Sequence, residues 1–293
     1  MTELAYINGV FCPIAEARVS IEDRGFQFGD SIYEVIPAYD GRSFLAEEHL
    51  LRLRQSAAGI ELQYDFNAEP LAPIVEEGLR RSGIDDAMIY IQLTRGAAPR
   101  THEFPKGTPP TVVITFKPLP KIPGRQRQEG VKLMTVRDDR WARCHVKATT
   151  LLPNVLAKNK ALRSGYDDAL FVTVDGEARE CTSANLFVVT GRQITIPPRN
   201  ESILRGVTQE FLLDCAGDLG FEAVEQPVYV DGLYGADEVF VTSTIIEVLG
   251  VASIDKKLIR DGGVGPVTRR FYEEFRARCR AESPDRKPAT VQT

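Results

Sequence analysis

The residues of this chain best suited to chemistry are a lysine, a glutamate, a hydroxyl-rich helix start, and an arginine and histidine two apart. Lys147 lies in RWARCHVKATTLLPNVLAKNK (140–160), at the end of an apolar-flanked strand, with Arg140, Arg143 and His145 close in sequence. Neighbouring cations in a partly dry pocket favour the unprotonated amine, the form that attacks a carbonyl, which makes Lys147 a candidate Schiff-base nucleophile. Its ordinary reading is a solvated surface charge. Glu180, between Arg179 and Cys181, could accept a hydrogen bond from a protonated ring nitrogen and keep that ring electron-poor. The ordinary reading there is a turn glutamate facing water. Gly206-Val207-Thr208 opens a helix, where unpaired amides and a hydroxyl can seat a phosphate. Ser243 and Thr244 follow an apolar strand with more hydroxyls, and Arg52 adds a positive charge. Capping, a strand end and a solvated helix face explain the same residues one at a time. Arg100 and His102 can grip a carboxylate through a guanidinium fork and a ring N–H, with the hydroxyl of Tyr33 as a third contact. Local salt bridges and a core tyrosine are the alternatives.

These groups need elements to hold them, and the sequence marks most of those elements. Asn8-Gly9 and Asp40-Gly41 between apolar runs read as hairpin turns, the second joining a strand through Ile32, Val35 and Ile36 to a return at Phe44-Leu45. Leu50, Leu53, Ala57 and Ile60 recur at helical spacing after Glu47 and Glu48, and a second helix covers about 69–81, ending before Gly83. AMIYIQLT (87–94) alternates as a strand does and runs into the long loop RGAAPRTHEFPKGTPP, which carries Arg100 and His102. After the strand TVVITF, the proline-rich KPLPKIPGRQ marks a boundary near residue 120. The second half reads as strand VKLMTV, the lysine segment, a helix, strands DALFVTV and ANLFVVT, a helix from about Ser202, strands near 223–230 and 238–243, and a closing helix over about 267–280. Hairpins interspersed with helices imply an α+β fold of mixed, largely antiparallel sheets, without internal repeats.

Composition narrows the classes further. A chain of 293 residues fits two domains, each with its own core. Five scattered cysteines, with no CxxC pair, point to neither a disulfide framework nor a metal site, and a reducing cytoplasmic location follows. The start MTELAYINGVF lacks a leader pattern, and no run has the length of a membrane span. A net charge of −5 with both signs interleaved argues against a nucleic-acid partner.

Taken together, the segments RGFQFGDSIYEV, IYIQLTRGAAPRTHEFP, RWARCHVKATTLLPNVLAK, ECTSANLF, ILRGVT and FVTST, in that order between Tyr6 and about Arg270, resemble the fold-type IV pyridoxal-phosphate enzymes, most closely the bacterial D-amino-acid transaminases. The resemblance implies a two-domain fold: a smaller N-terminal α/β domain (1–119) that supplies the substrate-carboxylate trap, a linker (120–127), a larger cofactor-binding domain (128–282), and a disordered tail (283–293). It implies that Lys147 carries pyridoxal 5'-phosphate and moves the substrate proton, and that Glu180 partners the pyridine nitrogen. Leu204 would pack on the ring, while Arg52, Val207, Thr208, Ser243 and Thr244 would hold the phosphate; Arg140 lends positive charge nearby. Tyr33, Arg100 and His102 match the family's carboxylate trap, which selects D enantiomers, and the loop bearing Arg100 and His102 is implied to reach a neighbouring subunit's site in a homodimer. The expected reaction moves the amino group of D-alanine to 2-oxoglutarate by a ping-pong double displacement, giving pyruvate and D-glutamate.

Four positions depart from the family pattern: Ala184, Cys181, Pro37 and His145. They bear on side-chain range and rate. Rival readings are a branched-chain L-amino-acid transaminase on the same fold, an aminodeoxychorismate lyase, and a non-catalytic dimeric binding protein that has kept the scaffold.

Overall fold

The computed structural model describes residues 3–281; the tail expected to be disordered, 283–293, lies outside the described residues. The first half opens with β1 (Leu4–Ile7) and β2 (Val10–Pro13), followed by the short helix α1 (Arg24–Phe28), β3 (Ser31–Tyr39) and β4 (Arg42–Ser43). Asn8 and Gly9, at φ +45° and +97°, and Asp40 and Gly41, at +50° and +75°, supply the left-handed turns that join the two strand pairs. Helices α2 (Ala46–Gly59) and α3 (Leu71–Ser82) come next, then β5 (Ala87–Thr94) and β6 (Thr111–Pro118). The strands form an antiparallel sheet in the order β2-β1-β6-β5-β3-β4. α3 lies so close to this sheet that a Cβ at Gly78 would sit 2.0 Å from the Phe116 ring. Only glycine permits that approach.

The second half begins with α4 (Gly124–Glu129), β7 (Val131–Arg137), α5 (Leu152–Arg163), β8 (Asp168–Val172) and β9 (Glu177–Cys181). It continues with β10 (Asn185–Thr190), β11 (Gln193–Ile196), α6 (Val207–Ala216), β12 (Glu222–Glu225), β13 (Val228–Tyr229) and α7 (Val230–Leu233). It ends with β14 (Glu238–Ser243), β15 (Glu247–Ile254), β16 (Lys257–Leu258) and α8 (Pro266–Ala281). These ten strands run β12-β11-β10-β14-β15-β7-β8-β9-β13, with β16 on β15. A further pairing of β9 with β10 closes six of them on themselves. β9 and β10 follow one another through a tight turn yet share one paired position, Glu180 opposite Asn185, and then splay apart. That splay is where the site forms.

Residues 124–127 of the expected linker (120–127) are helical, forming most of α4. The segment is helical without an apolar stripe because Arg127 anchors it, donating to the Val248 carbonyl at 2.6 Å and to Glu247 at 2.9 Å. The halves also exchange core residues. Tyr39, Phe44 and Leu45 pack among Phe211, Phe271 and Phe275 of the second half, and Val146 and Ala148 pack into the first core with Ile32, Ile36 and Leu53.

Candidate active site

Lys147 belongs to no regular strand; it lies in the loop between β7 and α5. Its flanking residues hold it, because Val146 and Ala148 are buried in the first core while the lysine between them turns to the other side. The backbone binds the free edge of β3 as a pseudo-strand: Tyr33 N–H donates to the Lys147 carbonyl at 2.9 Å, Thr149 N–H to the Ser31 carbonyl at 3.1 Å, and Ala148 bridges Ile32. Lys147 N–H donates to the Ser56 hydroxyl of α2 at 3.1 Å. The amine itself stands 4.3 Å from the centroid of the Tyr33 ring, which stacks in turn on Tyr90. The expected crowding by three cations does not hold. Arg143 and His145 are exposed and turn to the Gly59 and Glu201 carbonyls, since buried residues alternate with exposed ones along this segment; Arg140 alone of the three shares the cleft.

Glu180, the penultimate residue of β9, is 6% exposed, so it is no turn glutamate. It accepts from Arg140 Nη1, from the Leu204 N–H at 3.2 Å and from Asn185 Nδ2 at 3.3 Å. Burial pushes its carboxyl up, and the Arg140 guanidinium opposes that. Arg140 is locked in place: it forks onto Asp138 through Nε and Nη2, both at 2.9 Å, and Arg179 donates to the same carboxylate. Burial alone would raise Asp138, but the hydrogen bonds and charge of Arg140 hold it below the usual carboxylate range. Asn185 donates also to the Leu204 carbonyl at 2.8 Å, so the segment before α6 lies across the splayed strands and presents Leu204 to the cleft.

α6 starts at Gly206 without a side-chain cap, and its first-turn residues Val207 and Thr208 line the cleft beside Ser243 and Thr244. Free amides, hydroxyls and the guanidinium of Arg52 make this an anion seat. The cleft, open to solvent, therefore brings together nine of the eleven expected residues: Tyr33, Arg52, Lys147, Glu180, Leu204, Val207, Thr208, Ser243 and Thr244. Arg100 and His102 stay outside it. They are exposed and gather around Phe28, with the Arg100 guanidinium 4.9 Å and the His102 ring 5.7 Å from its centroid.

Sequence reasoning gave no role to Asn185, Asp138 or Trp141. Asn185 had a usable signal, a polar residue opening an otherwise apolar strand. Of the four departures, Cys181 and Ala184 line the cleft, whereas His145 and Pro37 do not. Burial pushes the Cys144 thiol up to about 11 and that of Cys181 well up, so at neutral pH both keep their protons. Lys147 brings to the cleft an amine of the kind that can attack a carbonyl. The donor set also fits a phosphorylated pyridine aldehyde: an amine for the aldehyde, a buried acid for the ring nitrogen, an aliphatic face for the ring and a capless helix start for the phosphate.

The family profile described as amino-transferase class IV matches residues 31–254. The D-alanine aminotransferase of Staphylococcus haemolyticus is 40% identical over 271 residues, 92% of this chain and 95% of that protein. That of Bacillus licheniformis is 39% identical over 89% and 92% of the two chains. Among solved structures, a T.th. branched-chain amino acid aminotransferase with pyridoxamine 5'-phosphate superposes with a TM-score of 0.89 at 29% identity, covering 97% of this chain and 96% of that one. The Escherichia coli branched-chain enzyme gives 0.85 at 27%, covering 94% of each chain.

Proposed function

The chain belongs to the class IV aminotransferases, and from that membership we propose that it transfers the amino group of a D-amino acid, D-alanine first among them, to 2-oxoglutarate, giving pyruvate and D-glutamate. The observation that carries the reading is the convergence on one cleft of the Lys147 amine, the buried Glu180 carboxylate and the anion seat at α6. The D-alanine aminotransferases at 39–40% identity support the D substrate. The branched-chain enzymes supply a second reading through their fold, at the lower identities of 27–29%.

Pyridoxal 5'-phosphate, when bound, supplies an aldehyde for amine exchange and a ring that takes up the electron pair released at the substrate Cα. Lys147 Nζ would hold the aldehyde carbon and, once displaced by the substrate amine, would accept the Cα proton and deliver it on the same face to the cofactor carbon that had carried the aldehyde. Glu180, fixed by Leu204 N–H and Asn185, would accept the hydrogen bond of the protonated ring nitrogen, and the bonds of Arg140 to it and to the Ser202 carbonyl keep that carboxylate from turning away. Leu204 would cover the ring, and Arg52, Val207, Thr208, Ser243 and Thr244, which line the same cleft, would hold the phosphate.

Tyr33 takes one side of the substrate carboxylate. Arg100 and His102, outside this chain's own cleft, complete that of a second copy, which makes the working form a homodimer. An exposed apolar stripe on α5, formed by Leu152, Val155, Leu156 and Leu162, supports such a contact, with Trp141 beside the cleft. The N-terminal domain (1–119) thus traps the substrate carboxylate while the larger domain (128–282) carries most of the cofactor contacts. Scattered cysteines with no CxxC pair suit a reducing cytoplasm. No helix among the described residues is long and apolar enough to cross a membrane.

D-Alanine added to the purified holoenzyme is expected to discharge the visible absorbance of the bound cofactor, with 2-oxoglutarate restoring it. Discharge by L-leucine or L-valine and none by D-alanine would transfer the assignment to the branched-chain reading; no change with any of them would end both.

A further inference from the structure

Glu34 stands where an apolar residue belongs. It alternates with Ile32 and Ile36 on the core face of β3, and like them it is 0% exposed. A carboxylate so placed persists only if its oxygens are fully engaged, and those of Glu34 are. Oε1 accepts from Arg52 Nε at 2.6 Å; Oε2 accepts from Arg52 Nη2 at 2.9 Å and from the Val35 N–H at 3.1 Å, and meets His49 Nδ1 at 2.8 Å. His49 and Arg52 stand one turn apart on the buried face of α2, so strand and helix close on this acid from two sides.

The pairing is a bidentate fork, which fixes the guanidinium plane and not merely its position. On its far side Arg52 donates through Nη1 to the Arg205 carbonyl at 2.7 Å, immediately before the Gly206 cap of α6. The guanidinium is therefore clamped between a buried acid and the backbone of the anion seat, while still lining the cleft with Val207, Thr208, Ser243 and Thr244. Burial works against ionisation of Glu34, yet the charge of Arg52 and the hydrogen bonds from Arg52 and His49 outweigh it and hold the carboxyl far below its usual range. His49 is driven the other way, its burial lowering its proton affinity despite Glu34. The charged partner of the acid is Arg52.

Resting on the reading of the cleft as a pyridoxal-phosphate site, we propose that Glu34, seconded by His49, is a positioning residue that presents Arg52 to the phosphate and thereby sets how strongly the chain prefers the phosphorylated cofactor to its unphosphorylated form. A clamp that only fastened β3 to α2 would, when broken, weaken binding of both forms alike. A clamp aimed at the phosphate weakens one.

Trp141, the only tryptophan of the chain, lines the cleft and reports occupancy by its fluorescence. Apoenzyme of wild type, Glu34→Gln, Arg52→Gln and the double variant is titrated with pyridoxal 5'-phosphate and, separately, with pyridoxal. Glu34→Gln is expected to lose about tenfold or more in affinity for the phosphate form, equivalent to ~1.4 kcal/mol, with pyridoxal binding shifted less than about threefold. The double variant should bind no more weakly than Arg52→Gln alone, because the acid acts through the arginine. Equal losses for the two ligands, or an unchanged preference, overturn the proposal. Where Glu34→Gln does not fold, Glu34→Asp keeps the charge and shortens the reach; the same selective loss, reduced in size, is then the supporting result and an equal loss the opposing one. A wild type that shows no preference for the phosphate form sinks the reading of the cleft instead.

Discussion

The amine of Lys147 faces the Tyr33 ring across 4.3 Å, and its backbone is tied down at three successive residues, so the nucleophile arrives oriented. Borohydride reduction of the holoenzyme should fix the cofactor label to the peptide containing residue 147. Lys147→Ala should lose that label and at least ~10³-fold in turnover, since one side chain carries both covalent and proton-transfer work. Glu34 bears on stability through pH. Its folded carboxyl is depressed, so its contribution is complete above the unfolded value of about 4.3 and is lost as pH falls below it. Glu34→Gln should therefore cost about 3 kcal/mol at pH 7, and the melting-temperature gap to wild type should narrow on acidification from pH 5 to pH 3. Lys147, Glu180 and the hydroxyl residues at α6 and β14 were singled out through the resemblance of their segments to the family, since each alone had an ordinary reading. Glu34 and Asn185 were not, because what matters in them is direction. A glutamate among isoleucines announces its burial only when strand alternation is followed through the charge, Ile32 to Glu34 to Ile36.

Elements were legible where one face is wet. The stripe of α2, the alternation of β5 and the glycine that ends α3 are each written in sequence because solvent and core impose different residues on opposite faces. β15 escaped for the opposite reason: all eight of its residues are buried, so no alternation survives, and Gly250 interrupts the run. β9 escaped because EAREC is charged, and its acid and arginine are paired inside a network that only the folded sheet creates. The same network gives an element-scale test. A Cβ at Gly206 would fall 2.0 Å from Asn185 Oδ1, and Asn185 is the residue that ties Glu180 to the start of α6. Gly206→Ala should displace that asparagine, lower affinity for the cofactor and cost about 1–3 kcal/mol in denaturant unfolding, whereas an alanine at the open Gly124 should do neither.

At the scale of the whole molecule, the two sheets are separate but their cores are not. The proline-rich stretch near residue 120 lies between β6 and α4; the exchange of Tyr39, Phe44 and Leu45 for Val146 and Ala148 was invisible in the sequence, since apolar residues do not declare which core they enter. Arg100 and His102, exposed around Phe28, set the test of assembly. Arg100→Ala should raise the KM for D-alanine about 10- to 100-fold, the value of a charged hydrogen bond, and leave the cofactor spectrum unaltered. Mixing inactive Lys147→Ala chains with Arg100→Ala chains under exchange conditions should then recover about one quarter of wild-type activity, because half the random dimers hold one intact site. No recovery beyond that of the Arg100→Ala chains alone would place the arginine in its own chain's service.

The tie between the lysine loop and β3 also sets a timetable. Ser31 and Thr149, joined there, lie 118 residues apart along the polypeptide, and contacts of such span close late in folding. During refolding with the vitamin present, colour should therefore lag the recovery of helix and strand signals. Chains expressed as separate fragments, 1–119 and 128–282, should stay colourless until they are combined.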